Sequence, residues 1–342
     1  MSIQITPRQA PEFLTDVLRA DKVPMMVSSP GIGKSAIAAQ IAAEQKLKLI
    51  DVRLAQCDPT DLLGFPMVNK KTGKAGYVPM DTFPLEDDPI PEGYKGWLIL
   101  FDEFPSAPMS VQAAAYKIVL DKMVGQHKLH PKVAMMAAGN LLTDRAIVNR
   151  ISTALQSRMI HFELIVNAKD WFYWAQQNDI DHRIVSFLQF TPDLLHKFDP
   201  DHTDHTFACP RTWHFQSDII KPWKEITFKK LPVMAGTITE GIAREFVGYC
   251  EIFESLPTIK DILSGPKTFS IPDNEPSIMH AISGLISSYA QVDNMDVLIH
   301  AIERLPVEFQ IISLKGCVRK NTALKEHSSI KKWVTQNAQE LL

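Results

Sequence analysis

Along the first half of the chain, short apolar runs alternate with stretches whose apolar residues recur at helical spacing. Val23 to Ser28 is a strand-length apolar run that breaks into Ser-Pro-Gly-Ile-Gly. Ser35 to Gln45 is alanine-rich and periodic, which predicts a helix. Leu49 to Leu54, Trp97 to Phe101, Val133 to Ala138 and Met159 to Glu163 predict further strands. Pro108 to Lys122 predicts a helix with proline at its start, where a missing N–H costs nothing. Runs such as Leu98-Ile99-Leu100-Phe101 are too continuously apolar for a sheet with one wet face. Interleaved with helices, they predict an α/β fold: a doubly wound parallel sheet with helices on both faces.

Two stretches interrupt this rhythm. Asp58 to Pro91 carries Pro59, Pro66, Pro79, Pro84, Pro89 and Pro91, and predicts a surface insertion with a hairpin turning around Lys70 to Gly73. Leu120 to Pro131 contains Val124-Gly125-Gln126, which predicts a second hairpin. Beyond Leu164 the alternation stops, and a mainly helical pattern is punctuated near Pro192, Pro200, Pro210, Pro222, Pro257 and Pro266. The expected organisation is an α/β domain over 1–164, a helical domain over 165–265 and a C-terminal helical segment over 266–342.

Composition narrows the class. In 342 residues, 45% are apolar and 22% charged, which excludes a disordered or fibrous chain. The net charge of -3 argues against whole-molecule attraction to nucleic acid or anionic membrane. Cys57, Cys209, Cys250 and Cys317 form no CxxC pair and read as reduced thiols. The charged N-terminus lacks an apolar export core, and no apolar run approaches the roughly 20 residues that span a bilayer. These features predict a cytoplasmic protein with no membrane partner.

The chemistry concentrates in three places. Ser28-Ser29-Pro30-Gly31-Ile32-Gly33-Lys34-Ser35 fits the phosphate-binding loop GxxxxGK[ST], with Ser28 in place of the first glycine. Gly31 and Gly33 let backbone N–H groups face phosphate oxygens, Lys34 suits the β- and γ-phosphates, and Ser35 suits Mg²⁺ at a helix start. The nucleotide-binding set is therefore Ser29, Pro30, Gly31, Ile32, Gly33, Lys34, Ser35 and Ala36. The apolar strand before Asp102-Glu103 puts two carboxylates where α/β sheets bind ligands. Asp102 would hold Mg²⁺ through water, and Glu103 would act as general base on the attacking water. Asn140, just past the next strand, would orient that water with Glu103.

In order and spacing these motifs resemble the AAA+ ATPases, within them the MoxR-like branch. The stretches that carry the resemblance are SSPGIGKSAIA, RLAQCDPTDLLGFP, LILFDEFPSAPMSVQAAAYKIVLDKMVGQHKL, AAGNLLTDRAIVNRISTALQSRMIHFEL and ACPRTWHFQSDII, covering most of residues 20–220. The resemblance implies further roles. Asn140 matches the sensor 1 position. Arg158 matches the arginine finger that reaches a neighbouring subunit's γ-phosphate, with Arg145 and Arg150 as competitors. Arg211 matches sensor 2, on a helical lid. It also implies ATP and Mg²⁺ as cofactors, a hexameric ring, a chaperone-like action on a client protein, and a partner with a von Willebrand factor A domain. A McrB-like nucleic-acid-linked motor is the alternative; the net charge and the lack of a recognisable DNA-binding module stand against it. His202, His205, Cys209 and His214 have zinc-like spacing, but Cys209 and Arg211 already belong to the sensor 2 stretch. Trp171 to Trp174 read as packing residues, since no basic stretch accompanies them.

Overall fold

The computed structural model describes residues 3–68, 70, 73–144, 149, 151–254, 258–271 and 276–337. The chain divides into two compact units, 1–167 with 199–201, and 168–198 with 202–342.

The first unit is built on β1 (Ile3–Ile5), β2 (Val23–Ser28), β3 (Leu47–Arg53), β4 (Phe65–Val68), β5 (Ala75–Val78), β6 (Gly96–Asp102), β7 (Met123–Val124), β8 (His127–Lys128), β9 (Val133–Asn140) and β10 (Met159–Leu164). Six of these form one parallel sheet in the order β1-β10-β2-β9-β6-β3. Its helices are α1 (Ala10–Arg19), α2 (Lys34–Gln45), α3 (Pro59–Leu63), α4 (Met109–Asp121) and α5 (Thr153–Gln156).

Strand alternation sorts the apolar residues to two faces. Leu98 and Leu100 of β6, with Met26, Met136 and Ala138, pack against Leu14 of α1 and Ile37 and Ile41 of α2. Trp97, Ile99 and Phe101, with Met25, Met135 and Ala137, pack against Leu62 of α3 and Val111, Ala115 and Ile118 of α4. Residues 96–101 of β6 are all buried, as a strand covered by helices on both sides requires. The expected α/β fold is thus present. Its unexpected parts are β1, which extends the sheet beyond β10, and α1, whose Ala10 and Leu14 pack on one face of it.

The proline-rich insertion holds the antiparallel pair β4–β5, and β7–β8 forms the second hairpin. The turn expected around Lys70 to Gly73 lies partly outside the described residues. Phe65, Met67, Val68, Tyr77 and Val78 on the first hairpin are exposed. Gly125, with φ +56°, lies where a Cβ would come 2.5 Å from the Leu63 carbonyl, so this crossing needs glycine.

The second unit contains α6 (Ala168–Gln177), α7 (His182–Phe190), α8 (Pro210–Ile220), α9 (Leu231–Ile238), α10 (Glu240–Glu254), α11 (Ile259–Ser264), α12 (Pro276–Tyr289), α13 (Met295–Ile302), α14 (Val307–Lys320) and α15 (Ser328–Gln336). Its core includes Phe187, Trp213 and Phe246, with ring centroids 5.3–5.9 Å apart. Asp181 and Arg183 form a buried pair at 2.8 Å. Burial alone would raise the Asp181 carboxyl; the hydrogen bonds and charge of Arg183, with the neighbouring His182, together outweigh it and hold the group below the usual carboxylate range. Burial pushes the Cys317 thiol up to about 12. No helix among the described residues is long and apolar enough to cross a membrane.

One close approach ties the fold to its carboxyl edge. A Cβ on Gly139 would lie 2.2 Å from Pro105 Cδ, in the turn after β6. Gly139→Ala is therefore expected to destabilise the chain by about 1–3 kcal/mol, the usual cost of forcing an extra methyl into packed structure. The urea midpoint measures this; an unchanged midpoint would mean that the turn yields freely.

Candidate functional site

The candidate site lies on the carboxyl edge of three neighbouring strands. β2 ends at Ser28, directly opposite Asn140 at the end of β9, and β9 pairs on its other side with β6, which ends at Asp102. Between β2 and α2 the chain makes the loop Ser29–Gly33. Gly31 takes φ +80° and Gly33 φ +106°, conformations that side chains resist. A Cβ on Gly33 would meet nothing within 4 Å, so the loop is bordered by open space there. Ile32 is buried among the α1 and α2 residues and anchors the loop from below, while Ala36 is exposed in the first turn of α2.

Lys34 opens α2 and turns its ammonium back over the strand ends. Nζ donates to Asn140 Oδ1 at 2.9 Å, to Ser28 Oγ at 2.9 Å and to the Ser28 carbonyl at 3.2 Å. Ser35 Oγ donates to Asp102 Oδ2 at 2.8 Å. The other Asp102 oxygen accepts the Glu103 N–H at 2.8 Å. A hydroxyl beside a carboxylate is a hard oxygen pair, suited to Mg²⁺ with water completing the shell.

Glu103 is partly buried and has φ +56°, in the left-handed region. A non-glycine residue there carries strain, as is frequent where a functional side chain must be aimed. The turn is gripped from behind: the buried Gln112 Nε2 donates to the Ala107 carbonyl at 3.1 Å, and Asn149 Nδ2 donates to the same oxygen at 2.9 Å.

The structure gathers Ser29, Lys34, Ser35, Asp102, Glu103 and Asn140 at this edge. Arg158 is exposed just past α5; its Nη1 donates to the Ala154 carbonyl at 2.7 Å, and the guanidinium lies 5.5 Å from the Tyr116 ring centroid. Arg211 is exposed in the first turn of α8, in the second unit. Arg145 and Arg150 lie outside the described residues. Among the described residues no His, Cys, Asp or Glu cluster suits a metal. The His202 ring packs 5.9 Å from Phe198 instead, and Trp171 and Phe172 are buried. One member of the edge has no sequence signal: Asp144, in the short turn Leu142–Asp144, accepts the Ser29 Oγ–H at 3.3 Å.

The strain at Glu103 has a measurable consequence. Glu103→Gly should be more stable than Glu103→Ala by about 1 kcal/mol, because only glycine enters the left-handed region freely. Parallel urea titrations test this; equal midpoints would show that the backbone at 103 relaxes without cost.

No protein-family model matches the chain, and no curated protein matches it. Among solved structures it is similar to a point mutant of Thermotoga maritima RuvB, at 13% identity over 72% of this chain and 70% of that one, with a TM-score of 0.38. It is also similar to the Thermotoga maritima RuvB Holliday junction branch migration motor, at 12% identity over 73% and 74%, with a TM-score of 0.38. A Cytophaga hutchinsonii protein with a provisional description as an ATPase is 13% identical over 93% and 90%, with a TM-score of 0.36.

Proposed function

We propose that the chain is a ring-forming ATPase of the MoxR-like AAA+ type, coupling Mg-ATP hydrolysis to the remodelling or maturation of a client protein in the cytoplasm. The observation that carries this reading is the contact of Lys34 with Asn140 and of Ser35 with Asp102, at the ends of three adjacent parallel strands. Residues Ser29 to Ala36 would hold the nucleotide, with Lys34 on the β- and γ-phosphates and Ser35 and Asp102 holding Mg²⁺. When bound, Mg²⁺ neutralises charge on the β- and γ-oxygens. Glu103 takes the proton of the attacking water, and Asn140 orients that water.

Arg158 is proposed as the finger given to the next subunit of a hexamer, and Arg211 as the sensor 2 group of a helical lid over 165–265. The segment 266–342 is a further helical part in this reading. Exposure of Arg158 supports the first assignment, since a residue serving a neighbour must face outward. The exposed apolar hairpin β4–β5 supports a protein client, since monomeric proteins rarely leave such surface in water without use. A von Willebrand factor A domain partner follows from the sequence resemblance alone.

Lys34→Ala should abolish ATP binding measured by calorimetry, while Glu103→Gln should keep binding and slow hydrolysis by about 10²–10⁴. Unchanged binding in the first variant would remove the loop from the site; unchanged turnover in the second would remove the base.

The ring is tested by mixing. Arg158→Ala should bind ATP and hydrolyse it about 10³–10⁵ more slowly. Combined with Glu103→Gln subunits it should regain turnover, because an intact Glu103 then meets a neighbour's intact Arg158. Lack of recovery in demonstrably mixed rings would exclude Arg158 as the trans-acting residue.

A further inference from the structure

Asp144 has a hydrogen bond that the ATPase scheme does not use. One carboxylate oxygen accepts the Ser29 hydroxyl at 3.3 Å, across 115 residues of sequence. The other is buried and has no partner among the described residues. A buried oxygen left without a donor costs stability, so packing alone gives no reason for a carboxylate here. Its surroundings give one. Lys34 Nζ, the group that marks where β- and γ-phosphates sit, is within 3.5 Å of the Ser29 carbonyl and 2.9 Å from Asn140. Asp144 therefore holds the side chain of the residue whose backbone borders the phosphate position. The turn that carries it starts two residues after Asn140.

Resting on the ATPase reading above, we propose that Asp144 is a positioning residue sensitive to the γ-phosphate. It clasps Ser29 when the site is empty or holds a diphosphate. The added charge of a triphosphate opposes the clasp, because like charges at close range in a partly buried site repel. Part of the ATP binding energy is thereby spent on moving the Ser29 loop and the turn behind Asn140, which gives the two nucleotide states different protein structures.

Asp144→Asn is the discriminating variant. Its amide oxygen can still accept the Ser29 hydroxyl, but the charge is gone. Binding of ADP and of a non-hydrolysable ATP analogue, each with Mg²⁺, is measured by calorimetry on the full chain. The analogue should bind roughly tenfold tighter than to the unsubstituted protein, with ADP affinity unchanged. The KM for ATP should fall in parallel, and raised salt should shrink the difference. Ser29→Ala, which removes the donor and keeps the charge, should shift the same ratio in the same direction by less, and serves if Asp144→Asn does not fold. Equal changes for both nucleotides, or none, would overturn the proposal and leave the ATPase reading standing. An unsubstituted protein that binds neither nucleotide would overturn both.

Discussion

The register of β2 against β9 and β6 is the constraint on which the site depends. In a parallel sheet every strand delivers its carboxyl end to the same edge, so three loops can meet only if the strands end at matched heights. Ser28 stands opposite Asn140, and Phe101 opposite Ala137. Asp102 follows Phe101 with the parity of Leu98 and Leu100, which places it on the α2 side, where Ser35 reaches it. A one-residue slip of β6 would turn Asp102 toward α4 and bury it among Phe104, Val111 and Ala115. The same slip would expose Leu98 and Leu100 to the wrong neighbours. The apolar core thus enforces the polar geometry: a slip keeps the side chains buried but sets them against neighbours of the wrong size on both faces, at about 1–3 kcal/mol for each overpacked position.

The second demand is on the turn after β6. Glu103 sits in a backbone region that costs free energy, and a polar residue on a solvent-facing turn would ordinarily relax out of it. It cannot, because Pro105 is packed against Gly139 of the neighbouring strand and the Ala107 carbonyl is held by both Gln112 and Asn149. Burial of Gln112 on α4 is explained by this duty. The helix that covers one face of the sheet also fixes the turn that aims the carboxylate.

What could be read from the sequence follows from how local each signal is. β2, β6 and β9 declare themselves because buried parallel strands are continuous apolar runs, while β10 shows itself by alternation, with Met159, Phe162 and Leu164 buried and Ile160 exposed. The β3 run is less clear: expected over Leu49 to Leu54, it forms over Leu47–Arg53, because an edge strand with Lys48 and Asp51 has weak apolar pattern and takes its limits from pairing with β6. β1 is only three residues long and exists through its bonds to β10, which no local pattern announces. The same rule divides the site. The loop Ser28–Ser35, proposed to bind phosphate, and the Asp102-Glu103 pair are legible because each is a contiguous motif in the chain. Asp144 is not, since its meaning comes from Ser29, a neighbour only in the folded chain.

Charge accounts for why the proposed chemistry calls on arginines carried by other elements. Among the described residues gathered at the loop, the ammonium of Lys34 stands with the carboxylates of Asp102, Glu103 and Asp144, which by themselves would repel a triphosphate. The carboxylates cannot be dispensed with in that chemistry: one holds the cation, another takes the proton. In the proposed scheme extra positive charge would come from Mg²⁺, which Ser35 and Asp102 would hold, and from guanidiniums such as those of Arg158 and Arg211. A guanidinium paired permanently with Glu103 would hold its carboxyl in the ionised form and strip it of the basicity its role requires. An arginine that arrives only with the nucleotide and the neighbouring subunit avoids that neutralisation. In the proposed scheme hydrolysis then depends on assembly, as a machine that must act in concert around a ring requires.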